Sequence, residues 1–490
     1  MPGRSLRARG SAFAAAACVS LSAVAGCQGA SEGAGRWGTA TEVPGTAALN
    51  KGDSAQVTSV SCASGGNCSA GGFYHNGSGY ARAFVVGEVN GTWGTAIEVP
   101  GTAALDQGGW AQVTSVSCAS PGNCAAGGAY RSDSHPPQAF VASEVNGTWR
   151  TAIEVPGTAS LNKVNTRNTD GGAGIASVSC ASPGNCSAAG FYTIPSGDTR
   201  PFVVNEVNRT WGTAIEVPGV AALSTGGSAS IASLSCASSG NCSAGGSYRG
   251  PLASPTGARL QAFVVSQAHG TWQPAAQVTG TAALNNAGTA AVTSVSCGSP
   301  GNCVAGGYYA ADRRAFLVRE DHGTWDTATA VPGLPAIRGF AAISSVSCPS
   351  ARNCTAAGTD VGAGSGRPFV VSAEKGTWGM ARRLRVPAAF KRAGFTIVSV
   401  SCASAGNCTA GGDYNYHLPN GAFVVAEKNG TWGTASAIPG LAALNKAGQA
   451  QITSVSCAPA AGCTAAGYYS DRTSGDRRPN GTQAFVVSQH

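Results

Sequence analysis

Apolar residues along most of this chain come in short runs, not at helical spacing. "AFVV" stands at 83–86 and returns at 262–265, 422–425 and 484–487. Ahead of the first run lie "VTSVSC" (57–62) and "NCSAGGFY" (67–74), rich in β-branched and small residues. Behind it come "GTW" (91–93) and "GTAIEVP" (94–100). Short apolar segments bounded by Gly, Asn and Pro read as strands joined by tight turns. The pattern predicts four strands per unit, beginning at "VTSVSC", "NCSAGG", "AFVV" and "GTW". No helical period stands out beyond the N-terminus.

The unit is written eight times. Each copy carries two cysteines six apart: Cys62 and Cys68, Cys118 and Cys124, Cys180 and Cys186, Cys236 and Cys242, Cys297 and Cys303, Cys348 and Cys354, Cys402 and Cys408, Cys457 and Cys463. First cysteines stand 51 to 62 residues apart. Self-similarity at this period implies a propeller, solenoid or array, and four strands in about 55 residues is the size of one propeller blade. The two ends choose between closed and open forms. Trp37 opens a fourth strand ("RWGTATEVP") that no third strand precedes, while the last unit ends on a third strand, "AFVVSQH", with no fourth. The two remnants complete one blade, whereas a solenoid would need capping repeats. The expected fold is therefore all-β: an eight-bladed β-propeller of four-stranded blades over 37–490, closed by pairing the N-terminal outer strand with the C-terminal third strand. Small residues in "TSVSC" suit the crowded axis. The tryptophans of the fourth strands suit packing between blades where the wedge is widest.

Composition agrees with strands and turns. Glycine is 70 of 490 residues, 43% are hydrophobic and 11% charged, a mix too apolar for a disordered chain. Sixteen cysteines in eight evenly spaced pairs read as disulfides in an exported protein. The rival is thiolate metal sites, but zinc takes four ligands and no histidine recurs at a fixed offset, so neither metal nor cofactor is expected. Each disulfide would clamp a five-residue hairpin loop such as "ASPGN".

The N-terminus supplies the export signal that the cysteines ask for. Arg4, Arg7 and Arg9 precede an apolar stretch, Ser11–Gly26, too short for a spanning helix of about 20 residues. Val24-Ala25-Gly26-Cys27 resembles a bacterial lipobox, which implies a lipoprotein-type signal peptide over 1–26, lipidation at Cys27, a tether over 27–36 and anchoring at the outer face of the cytoplasmic membrane. The alternative is a secretory signal cut near Ala25, giving a secreted protein.

The complete repeat, "SVSCAS.GNC.AGG.Y … AFVV.E..GTW", resembles repeats of exported, largely uncharacterised proteins of high-GC Gram-positive bacteria. The turn before tryptophan is similar to those of Asp-box and tryptophan-docked propellers. "VNGTW" (145–149) lacks the aspartate of the first and the longer motif of the second, so both resemblances imply blade geometry and no activity.

Catalytic motifs do not emerge. The repeat tyrosines and the glutamates Glu42, Glu98, Glu154 and Glu216 recur once per blade, as scaffold residues do, whereas catalysis needs one unlike cluster. A hydrolase or lyase acting on polysaccharide remains the alternative to a binding or scaffold module. Loops after the second strands and between blades share one face and carry nearly all the variation, so recognition is expected there. The candidate contacts are Tyr130, Arg131, Tyr248, Arg249, Tyr414 and Tyr416. Residues 312–392 hold 12 basic and 6 acidic residues, which adds Arg382, Arg383 and Arg385 as contacts for an anionic envelope polymer or lipid headgroups. A glycan or protein partner fits equally, and export argues against nucleic acid.

Overall fold

The computed structural model describes residues 35–490, apart from 133–135, 164–170, 252–258, 285–288, 311–313, 335–338, 363–364, 389–392, 416–419, 460–461, 472–480 and 490. The expected signal peptide, Cys27, Tyr416 and parts of the variable loops lie outside the described residues.

Eight antiparallel meanders form eight blades. In blade 1 the strands are Ala55–Ser64, Asn67–His75 and Ala81–Val89, followed by an outer strand in two pieces, Thr92–Trp93 and Ile97–Glu98. Blade 8 is the composite expected from the ends. Thr41 pairs with Val486 and Glu42 with Phe485, and Trp37 bridges Gln489.

The recurrent "S-V-S-C" forms a belt around the axis. The backbone N–H of Val116 donates to Ser59 Oγ at 3.0 Å, and that of Cys118 donates to Ser61 Oγ at 3.0 Å. The same two bonds recur at every seam between blades. They close the circle where Val60 and Cys62 donate to Ser454 and Ser456. At about 1 kcal/mol each, these bonds tie the innermost strands into one ring. A second belt runs outside it, where Ala96 N–H donates to Pro44 O of the preceding blade and Ala152 to Pro100.

That outer belt explains a departure from expectation. The sequence predicts a continuous fourth strand, but after Gly94 N–H donates to Gly87 O, residues 95–96 leave the ladder so that Ala96 can reach the neighbouring blade. A second departure is a single helical turn before several first strands, such as Thr46–Leu49 and Val220–Leu223. Four residues cannot display a 3.6-residue period. The turn follows Gly45, held at φ 87°, where a side chain would also press on Thr95 of the next blade.

Each blade wedges one phenylalanine of its third strand into the core, from Phe84 to Phe485, and all eight are fully buried. Packing crosses the seams: Trp211 sits with Ala139 and Val141 of the preceding blade, the role expected of the tryptophans.

The cysteine pairs all close within their own blades. Cys62 joins Cys68, Cys118 joins Cys124, Cys180 joins Cys186 and Cys236 joins Cys242. In the second half of the ring Cys297 joins Cys303, Cys348 joins Cys354, Cys402 joins Cys408 and Cys457 joins Cys463. The pairing follows from the hairpin itself, whose register sets the two cysteines opposite each other, as Cys62 and Cys68 show. The second cysteine of each pair, such as Cys68, Cys124, Cys303 and Cys463, is buried between blades. Each bridge closes a loop worth roughly 2 kcal/mol in the chain-entropy model. Eight such bonds suit a protein that folds in an oxidising compartment. No helix among the described residues is long and apolar enough to cross a membrane.

Candidate functional site

The turns divide the ring into two faces. Disulfide turns lie against the turns that precede each tryptophan, with Gly91 N–H donating to Gly66 O. The opposite ends carry the loops of variable sequence, where His75 N–H donates to Ser54 O and Gly52 N–H to His75 O.

Where the two innermost strands reach the variable face, one position changes chemistry from blade to blade. It holds Phe73, Ala129, Phe191, Ser247, Tyr308, Thr359, Asp413 and Tyr468 in turn, paired with Gln56, Gln112, Gly174, Ser230, Ala291, Ala342, Thr396 and Gln451. Phe191 is 36% exposed. The Tyr468 hydroxyl donates to Gln451 Oε1 at 2.6 Å. Asp413 is the one acid among these sixteen positions. Burial pushes its carboxyl up to about 6, and its charge adds to the burial that raises the Tyr468 phenol. Sequence reasoning passed over this position because it sits inside the repeat. The signal was its variation between a glycine present in every blade and a tyrosine present in seven of the eight.

The sequence-selected tyrosines occupy the adjacent, inward-facing position. Tyr130 and Tyr248 are buried in blade cores, and the Tyr130 hydroxyl donates to Glu154 at 2.5 Å. Tyr74 bonds Glu98, Tyr192 bonds Glu216 and Tyr469 bonds Glu42 in the same way. Burial raises the phenol of Tyr130, with the Glu154 bond adding to it. Tyr74, Tyr130, Tyr192 and Tyr469 thereby hold the outer strand to the second strand, and Tyr248, whose blade has Gln277 in the position of Glu98, is buried by packing. Tyr414 is half-buried, its ring 5.6 Å from that of Phe395. Arg131 and Arg249 are exposed at the variable-face ends of their strands.

The arginine cluster lies elsewhere, on the outer strand of blade 6. Arg383 takes the register position of Glu98, Asp360 takes that of Tyr74, and the two form an ion pair at 2.7 Å. Blade 6 thus makes the same cross-strand link through an ion pair, and Arg383 is occupied there. Arg382 and Arg385 are exposed on the outer wall. The arginines and the tyrosines are therefore not brought together.

Buried carboxylates mark the seams on the disulfide side. Glu144 accepts from Ser69 of the preceding blade at 3.0 Å and Glu206 from Ser143 at 2.7 Å. Glu320 accepts from both Ser243 (2.7 Å) and Ser266 (2.6 Å). Where Val304 replaces the serine, Ala373 replaces the glutamate across the same seam. Burial raises the carboxyls of Glu144, Glu206, Glu320 and Glu427. A raised native pKa favours the protonated fold, so this contribution is full below the unfolded carboxylate value of about 4.3 and fades as pH rises through the native values. Asp413 adds the same sign around 6. Thermal unfolding should accordingly come at a higher temperature at pH 5 than at pH 7.5, and the reverse order would contradict this account of the seams.

No protein-family model matches the chain, and neither does any curated protein. Among solved structures it is similar to the GH74 xyloglucanase from Xanthomonas campestris (12% identity, TM-score 0.46), covering 88% of this chain and 59% of that one. YCF48 from Cyanidioschyzon merolae is 12% identical at TM-score 0.41, with 77% and 95% covered. The fucose-specific lectin from Aleuria aurantia is 11% identical at TM-score 0.34, with 79% and 96% covered.

Proposed function

We propose that this protein is an exported binding ring, tethered to the membrane through Cys27, that recognises an envelope glycan around the inner rim of its variable face. One observation carries the reading. The rim position is where the two inner strands vary most widely in chemistry, setting Phe73, Phe191, Tyr308 and Tyr468 among hydroxyl and amide groups with one acid, Asp413. Aromatic faces amid sparse polar groups suit a sugar chain, with the rings as platforms and the polar groups as orienting contacts. A scaffold stapled eight times presents such a surface already ordered, which lowers the entropy lost on binding.

The purified, oxidised protein would be tested against envelope polymers and neutral glycans at low and high salt. Binding that survives high salt and is lost in Phe191→Ala and Tyr468→Ala is the expected result. Binding abolished by salt and by neutralising Arg382 and Arg385 would move recognition to the outer wall and overturn this reading. So would silence across the whole set.

A further inference from the structure

Cavities open at several seams, including one of about 350 Å³ beside Glu320, but the seam between blades 6 and 7 is lined differently. Two cavities, of about 410 and 240 Å³, open on either side of Glu374 and Glu427 and share both residues as lining. Trp378, Met380, Arg382 and Trp432 complete the wall of the larger one. Three departures from the repeat produce this lining. Ala373 and Glu374 stand where five other blades place glutamate and then another residue, Met380 is 66% exposed, and Arg382 takes the position of Ile97.

Glu427 is the odd member of the buried set. Glu320 accepts a serine hydroxyl on each oxygen. At the blade 6–7 seam the corresponding hydroxyls, Thr355 and Ser372, bond each other at 3.1 Å. Glu427 is 6% exposed, and its buried Oε2 takes neither hydroxyl; the side-chain donor beside it is the Trp432 indole N–H, which has no other partner. Burial raises its carboxyl, while the neighbouring Trp432 and Arg382 pull it down and Glu374 pushes it up. A buried acid that has lost both hydroxyl donors costs stability. A ligand hydroxyl would take their place.

We propose that the cleft across the seam of blades 6 and 7 is a second, independent binding site, for a neutral saccharide. The Trp378 and Trp432 indoles offer apolar faces to pyranose rings. Glu427 and Glu374 accept from sugar hydroxyls, and Arg382 donates to them. The two cavities together fall in the size range of small-molecule sites. The site stands on the opposite side of the ring from the variable-face rim, and neither reading depends on the other.

The test uses the oxidised protein and hexasaccharides of β-1,4-glucose, α-1,4-glucose, N-acetylglucosamine and mannose, followed by tryptophan fluorescence. At least one hexamer should bind, and Glu427→Gln should weaken it about tenfold, the scale of one charge-assisted hydrogen bond. Glu427→Gln should also raise Tm by a few degrees, because it removes a buried charge. Glu320→Gln, which breaks a satisfied group, should lower Tm and leave binding unchanged. Phe191→Ala separates the two sites, since it should not affect binding here. The proposal fails if none of the hexamers binds, if only cationic amines such as choline bind, or if Glu427→Gln lowers Tm and leaves affinity intact.

Discussion

Removing residues 35–44 should leave a chain that no longer behaves as a closed monomer. That segment supplies the outer strand of blade 8 and buries Ala40 and Val43 in two different blade cores. It also carries the Glu42 bond to Tyr469 and the ladder to Phe485 and Val486. Its loss forfeits roughly 5 kcal/mol of burial and hydrogen bonding, against a typical domain stability of about 5–15 kcal/mol. The exposed edge of Gln483–Ser488 would be a template for pairing with other chains. Size-exclusion chromatography should show oligomers or aggregate, and thermal melting should begin well below that of the full ring. A truncated monomer with unchanged Tm would refute the closure argument.

The second large effect concerns a single methyl group. A Cβ on Gly412 would lie 1.8 Å from the Thr396 carbonyl oxygen, and the equivalent contact recurs in every blade, at 1.9 Å between Gly72 and Gln56 for instance. That carbonyl is held next to a bulge in the first strand, so neither side can yield without breaking the ladder. Gly412→Ala should cost at least about 3 kcal/mol. Gly411→Ala is the control. Its Cβ would meet the Val455 and Ile452 side chains at 2.8 and 2.9 Å, and sister blades carry Ala189, Ala357 and Ala466 at this position. Urea unfolding of the two variants should separate them by more than about 2 kcal/mol, roughly the difference between a backbone clash and an adjustable side-chain contact. Equal midpoints would mean the bulge can relax.

What the sequence disclosed follows from where each relation lies. The disulfides, the strands and the composite blade are encoded within one repeat or at the two ends, so the repeat exposes them directly. The one-turn helices were too short to show a period. The broken outer strand was hidden because its cause, the bond from Ala96 to Pro44, lies in another blade. Register hid the pairing of Asp360 with Arg383, which looks like a free basic cluster until the ladder places it over Tyr74 and Glu98. The burial of Tyr130 and Tyr248 was hidden for the opposite reason. They recur beside the variable rim position, and only the alternation of the strand reveals that Tyr130 points inward while its neighbour Ala129 takes the rim position. Glu427 could not be singled out at all from the sequence, because five glutamates share its position and differ only in the hydroxyls that reach them.

The composite blade also bears on folding. Most strand pairs join segments a few residues apart, so a blade can form as soon as its hairpins exist. The pairing of Thr41 with Val486 joins residues separated by almost the whole chain. The strand Thr41–Glu42 thus has the partner most distant in sequence, and a ring lacking that pairing would have bare edges on either side of the gap. The serine belt joins neighbouring blades in turn, and its final pair, Val60 and Cys62 with Ser454 and Ser456, brings together the same two ends of the chain. Ring closure thus concentrates the most non-local contacts of the molecule at one seam, the kind of contact that slows folding most.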